Sequence, residues 1–258
     1  MKKYFLMSLV AMLAIALTSC VSIVNKRYRN DTPSQVNEIG KVTAMQAFDK
    51  LNVKAPVNVI LEQSDTNSVR VEGTAEQLAK MTIYVDNDGL TVDVKESSSV
   101  MFGDNKNEFQ GVQVFVSAAL LKDIKISGAG NVAAPSALNV GDINMNISGA
   151  GDMNIAQLTC QNLDIKITGA GDVTMGAVQA DAVTANVTGA GNIEMAGLIA
   201  KSLDNKTTGA GDMVFNNLNV DVVKSHITGA GNITLSGTVG SHEEKITGAG
   251  SIDVSGLK

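Results

Sequence analysis

Leu163-Asp164-Ile165-Lys166-Ile167-Thr168-Gly169-Ala170-Gly171-Asp172-Val173-Thr174-Met175 decides the fold. Before the Gly-Ala-Gly, apolar Leu163, Ile165 and Ile167 alternate with polar Asp164, Lys166 and Thr168. After it, Val173 and Met175 alternate with Asp172 and Thr174. A period of two on both sides of a glycine turn means two strands, each with one face inward. The pattern recurs. Gly-Ala-Gly begins at Gly128, Gly149, Gly169, Gly189, Gly209, Gly229 and Gly248, at spacings of 21, 20, 20, 20, 20 and 19 residues. Its second glycines are Gly130, Gly151, Gly171, Gly191, Gly211, Gly231 and Gly250. A fixed period near 20 marks a solenoid, in which each unit buries its apolar face by stacking on the next.

Aligned on that period, the units form columns. The first inward column after the turn reads Met153, Val173, Ile193, Met213, Ile233, Ile252, and the next reads Ile155, Met175, Met195, Phe215, Leu235, Val254. Leu158, Val178, Leu198 and Leu218 supply a third face. The expectation is an all-β chain: a parallel β-helix with coils of about 20 residues and right-handed winding, preceded by an irregular β-rich section. The fourteen turn glycines let the chain bend tightly and let coils approach closely, with the intervening alanine expected inside the corner. Ser127, Ser148, Thr168, Thr188, Thr208, Thr228 and Thr247 make a hydroxyl column before the turn. Asn131, Asp152, Asp172, Asn192, Asp212, Asn232 and Ser251 make a polar column after it. Both classes bond readily to local turn backbone. Outward charges alternate along the stack, with Lys125, Asn146, Lys166, Asn186, Lys206, His226 and Lys245 beside Asp123, Asn144, Asp164, Thr184, Asp204, Lys224 and Glu243. That pattern suits solubility and register more than a field of one sign.

The 258 residues divide into four parts. Residues 1–20 read as a lipoprotein signal: Lys2 and Lys3, an apolar run from Phe5 to Leu17, then Leu17-Thr18-Ser19-Cys20. The run is short for a membrane span, and the pattern resembles bacterial signals in which cleavage leaves Cys20 as a lipidated N-terminus. Residues 21–45 read as a flexible tether, whose basic Lys26-Arg27-Tyr28-Arg29 could lie on anionic headgroups. Residues 46–120 hold irregular strands, a hairpin at Asp86-Asn87-Asp88-Gly89, a short helix over Ala75 to Met81, and an exposed loop over 97–110. Residues 121–258 are the regular solenoid of seven coils. With Cys20 lipidated, Cys160 is left without a disulfide partner; it shares a small apolar column with Ala180, Ala200 and Val220, so it is expected buried and inert. A net charge of −6 without a basic cluster on the repeats excludes nucleic acid as a partner.

Three chemistries compete to explain these columns. Calcium needs several converging carboxylates, whereas this column is partly Asn and Ser; Asp152 and Asp172 are the pair to examine. Nucleophilic catalysis would draw on Ser225, Asp221 and the only histidines, His226 and His242, both expected outward on coils without pocket-forming insertions. Ice binding needs paired threonines on a flat strand face, and this threonine column abuts a glycine turn. No catalytic, metal or cofactor site is expected.

Phe48-Asp49-Lys50-Leu51-Asn52-Val53, the stretch Asp86-Asn87-Asp88-Gly89-Leu90-Thr91-Val92, and the recurring Ser/Thr-Gly-Ala-Gly-Asn/Asp together resemble the "putative auto-transporter adhesin, head GIN domain" family of bacterial envelope proteins, over residues 46 to 256. The resemblance implies a β-helical, non-enzymatic binding module and carries over no family site residues. The expected protein is a cell-envelope lipoprotein held to the outer membrane through Cys20, on either its surface or periplasmic side. Its expected partners are the membrane and a glycan or envelope protein, and self-association through the exposed edge of the last coil is open. The alternatives are a periplasmic structural or envelope-stress component and, remotely, a glycan-active enzyme. Any ligand is expected on the less regular 46–120 section.

Overall fold

The computed structural model describes residues 39–95 and 108–258. The stretch read as a signal with Cys20, the basic cluster at 26–29 and most of the stretch 97–110 read as a loop lie outside the described residues.

In chain order the elements are β1 (Thr43–Ala44), β2 (Lys50–Val53), β3 (Asn58–Gln63), β4 (Ser68–Glu72), α1 (Ala75–Ala79), β5 (Met81–Asp86), β6 (Gly89–Val94), β7 (Gln113–Ala118), β8 (Asp123–Ile126), β9 (Asn131–Asn139), β10 (Ile143–Ile147), β11 (Met153–Thr159), β12 (Asn162–Gly169), β13 (Val173–Gln179), β14 (Ala182–Gly189), β15 (Ile193–Gly209), β16 (Met213–Gly229), β17 (Asn232–Gly248) and β18 (Ser251–Leu257). The strands join in one sheet that winds on itself.

The repeats stack as the alternation predicts. Leu163 pairs with Val183, Ile165 with Ala185 and Ile167 with Val187, all parallel. On the second arm Val173 pairs with Ile193 and Met175 with Met195. These inward residues are buried. In β11 the exposed pair Ala156 and Gln157 separates buried Ile155 from buried Leu158, so the strand bends there and starts the third face. The result is a β-solenoid of coils near 20 residues.

The glycine turns are part of the ladder. Ala190 N–H donates to the Gly169 carbonyl at 2.9 Å, and Ala210 N–H to that of Gly189 at 2.9 Å. Both glycines of one turn press on a carbonyl oxygen of the coil before, and the first also needs a special backbone angle. Gly169 has φ of 142°, a backbone region that side chains disfavour. Gly171 is buried, and a Cβ there would overlap the Gly151 carbonyl oxygen of the previous coil. The alanine is not inside the corner: Ala150, Ala170 and Ala190 are exposed. The corner interior has no room for any side chain, so the glycine takes it and the alanine methyl points out.

The N-terminal section extends the same stack in a different chain order. β2 and β3 form a coil in register with β8 and β9, pairing Leu51 with Ile124 and Val59 with Val132. On the other side of that coil lie β6 and β7, which come later in the sequence, pairing Leu51 with Leu90 and Val59 with Val114. β5 then pairs antiparallel with β6, β4 with β7, and β1 with β4. The Asp86–Gly89 hairpin forms at its expected place. The helix forms within its expected stretch as α1, begun by a capping box in which Thr74 and Gln77 bond reciprocally. Gly40 N–H donates to the Val71 carbonyl at 2.7 Å, so the end of the stretch read as a tether is bonded to β4. Phe109, at the end of the stretch read as an exposed loop, is buried in the core. Its ring finds apolar cover there, which the polar run before it did not suggest.

Candidate functional site

Register places one row of side chains on the outer face of the first arm. Tyr84 lies opposite Thr91, and Thr91 opposite Asn52. Asn52 lies opposite Lys125, and Lys125 opposite Asn146. The row runs on through Lys166, Asn186 and Lys206. It therefore crosses eight successive strands, seven steps of about 4.8 Å, or about 34 Å along the axis. Two openings lie on this face. The larger, about 450 Å³, is lined by Lys50, Asn52, Lys54, Tyr84, Asp86, Asp88, Thr91, Asp123 and Lys125. The smaller, about 310 Å³, is lined by Asp164, Lys166, Asn186, Val187, Thr188, Lys206 and Thr208.

The larger opening is partly pre-set. Asn52 Nδ2 donates to the Asp88 carbonyl at 2.9 Å, tying the hairpin to the coil below. Lys54 pairs with Asp93 at 3.6 Å. Thr91 is 3% exposed and forms the floor, while Tyr84 is half-buried beside it. Burial raises the Asp123 carboxyl above the ordinary carboxylate range, with Lys50 and Lys125 pulling it back. Among the described residues Lys125, Lys166 and Lys206 form no salt bridge within 4.0 Å, although Lys125 still acts on Asp123 across the opening.

The Asn/Asp column has a structural task. Asp152 Oδ1 accepts from Asp172 N–H at 3.0 Å, and Asp172 Oδ1 from Asn192 N–H at 2.8 Å. Asn192 Oδ1 in turn accepts from Asp212 N–H at 2.9 Å. Each side chain clasps the next coil, rather than its own turn as the sequence suggested. Only the stacked register puts that donor within reach. Among the described residues no group of three His, Cys, Asp or Glu is placed to hold a metal ion.

His242 does not point outward as expected. The register that keeps Glu243 and Lys245 outside puts His242 and Glu244 in the inward columns. His242 Nε2 lies 3.1 Å from Ser225 Oγ, and its Nδ1 lies 3.1 Å from Glu244 Oε1. The atoms follow the order of a hydrolase triad, but Ser225 is 2% exposed and stacked between Asn205 and Glu244. A substrate carbonyl has no approach to that hydroxyl, so the set closes the interior and does not activate a nucleophile. His226 stays on the outer face, and Asp221 is exposed. Deeper in, the fully buried Asn205 amide and Thr207 hydroxyl have no hydrogen-bond partner. Cys160 is buried in its small column, and burial pushes its thiol up to about 11.

Sequence reasoning placed any ligand on the 46–120 section but singled out neither Tyr84 nor Thr91. Alternation in Ile83-Tyr84-Val85 already turned Tyr84 outward. What it could not supply was the junction of Tyr84, Thr91 and Asn52 with the column from Lys125 to Lys206, because β5, β6, β2 and β8 stack out of chain order.

Known proteins share this architecture. A protein described as a "putative adhesin" from Bacteroides fragilis is 23% identical, covers 83% of this chain and 94% of its own, and superposes with a TM-score of 0.74. Another so described, from Parabacteroides merdae, is 22% identical, covers 87% and 96%, and has a TM-score of 0.62. A "putative lipid binding protein" from Parabacteroides distasonis is 18% identical, covers 87% and 97%, and has a TM-score of 0.56. No curated relative matches. At these identities the likeness is one of fold. The model of the family described as "Putative auto-transporter adhesin, head GIN domain" matches residues 47–219 and 203–258, and the chain belongs to that family.

Proposed function

We propose that this is a non-enzymatic envelope lipoprotein, anchored through Cys20, whose solenoid presents the outer face of its first arm to a binding partner. The observation that carries the reading is the row from Tyr84 to Lys206: polar side chains and ammonium groups outside any salt bridge among the described residues, on a backbone held strand by strand in one sheet. Such a scaffold holds its side chains at set spacings, so little ordering entropy is lost on binding. The adhesin descriptions of the family and of fold relatives agree with a binding role.

Retention tests it. The full chain, extracted in detergent, is passed over immobilised polysaccharides and envelope proteins beside a Lys125→Ala, Lys166→Ala, Lys206→Ala variant. Retention of the wild type and its loss in the variant is the expected result. Retention that the variant keeps moves binding off this face, and no retention favours a structural role in the periplasm. Fatty-acid labelling lost in Cys20→Ser tests the anchor.

A further inference from the structure

We infer that the row from Tyr84 to Lys206 takes a neutral, linear polysaccharide lying along the solenoid axis, with a sugar ring seated against Tyr84. The inference rests on the reading of this face as the binding face and names its ligand.

Charge comes first. In the larger opening Lys50, Lys54 and Lys125 stand against Asp86, Asp88 and Asp123, three cations and three anions with no net charge. There a polyanion would meet a carboxylate for each ammonium, and a polycation the reverse, so neither gains in the larger opening. The smaller opening also mixes signs, with Asp164 against Lys166 and Lys206, and carries one net positive charge. A neutral ligand carrying groups that both donate and accept suits this mixture. Sugar hydroxyls do both, and here the ammonium groups donate, the carboxylates accept and the amides do each.

Shape comes second. The core of a protein–protein interface is typically depleted of charge and enriched in aromatic side chains. The larger opening has one aromatic, Tyr84, in an otherwise polar lining. One ring among amides, carboxylates and ammoniums matches a pyranose, whose C–H face stacks on the aromatic while its rim bonds to polar groups. The row is straight, and Lys125 and Lys166 sit two strand steps apart, about 10 Å. That is close to the span of two sugar rings in an extended chain. A linear glycan can thus repeat its contacts from the first opening to the second, whereas a branched one would lift off the face.

The experiment is titration of the full chain in detergent with length series of gluco-, xylo- and manno-oligosaccharides, with polygalacturonate as the acidic comparator. At least one neutral series is expected to bind more tightly as it lengthens, and polygalacturonate more weakly. Tyr84→Ala should weaken every length at least about tenfold, and Tyr84→Phe, which keeps the ring, much less. Lys206→Ala should weaken only oligomers long enough to reach the second opening. Unchanged thermal melting of the variants would show that these outward substitutions leave the fold intact. Stronger binding of polygalacturonate, absence of neutral binding, or an unaffected Tyr84→Ala overturns the inference. A protein retained on the triple lysine-dependent face in the earlier test, with no sugar bound, would keep the binding face and discard the glycan.

Discussion

The coil at β12–β13 and the coils at β15–β17 share a backbone and differ inside. In the first, the central inward column holds Ile165 between Met145 and Ala185, all fully buried. Further along, the same column reads Asn205, Ser225, Glu244. The neighbouring column turns from Ile167 and Val187 to Thr207. The ladder hardly changes, so backbone pairing and side-chain packing are separable contributions here. The middle coils have both. The later coils keep the pairing and give up part of the packing.

That contrast can be broken by exchanging the interiors. Ile165→Asn puts an unpartnered amide between apolar neighbours and should cost about 4–5 kcal/mol, read as a fall in the denaturant midpoint. Asn205→Leu removes a buried amide with no partner and should instead stabilise by about 1 kcal/mol. If the two substitutions changed stability in the same direction, the contrast would not be energetic.

A smaller effect tests the pairing itself. Gly171→Ala and Gly250→Ala each drive a methyl into the carbonyl oxygen of the coil before, at Gly151 and Gly231. In the middle, coils on both sides resist the shift, and about 3 kcal/mol should be lost. At Gly250 only one neighbouring coil among the described residues must yield, so about half that loss is expected. Equal midpoint shifts would mean that strain does not spread along the stack. Gly197→Ala, with open space at its Cβ, serves as the control.

The clasp is weaker again. Asp172→Ala removes the acceptor for both Asn192 N–H and Asn192 Nδ2 and should cost about 1 kcal/mol, whereas Asp172→Asn should be nearly neutral. The least perturbing measurement is on Cys160. With Cys20 replaced by serine, the folded chain should show no thiol reactive to a disulfide reagent at pH 8, and one after denaturation. Since burial raises the folded thiol from about 9 to about 11, the folded state holds its proton where the unfolded chain has lost it. Stability should therefore fall as pH rises through that window and level off above it.

The solenoid was legible because its signals are local: a strand period of two and a glycine turn every 20 residues, both visible within one unit. The burial of Cys160 followed from its column mates. The Asn/Asp column was legible as polar, but its partner was not, since a bond to the next coil exists only once register is set. The inward place of His242 was within reach, because it follows from the column that holds Lys245 outside. The end of the row at Tyr84 was not legible, because it joins strands whose stacking order departs from their sequence order. The part of the candidate site from Lys125 to Lys206 was legible as a column, whereas the larger opening reaches into strands that are not periodic, where one sequence carries the least information about who pairs with whom.

The coil of β2 and β3 lies between partners that are both made later, β6–β7 on one side and β8–β9 on the other. Its two edges therefore stay open until residue 118 on one side and residue 139 on the other have been made and released from the ribosome. Folding cannot start at the first strand and proceed in order. The β2–β3 coil and its partners must close together as one nucleus, whereas the regular coils, which pair with their sequence neighbours, can also nucleate elsewhere in the stack and spread. A chain cut after β11 should hold that nucleus, and one cut before β8 should not.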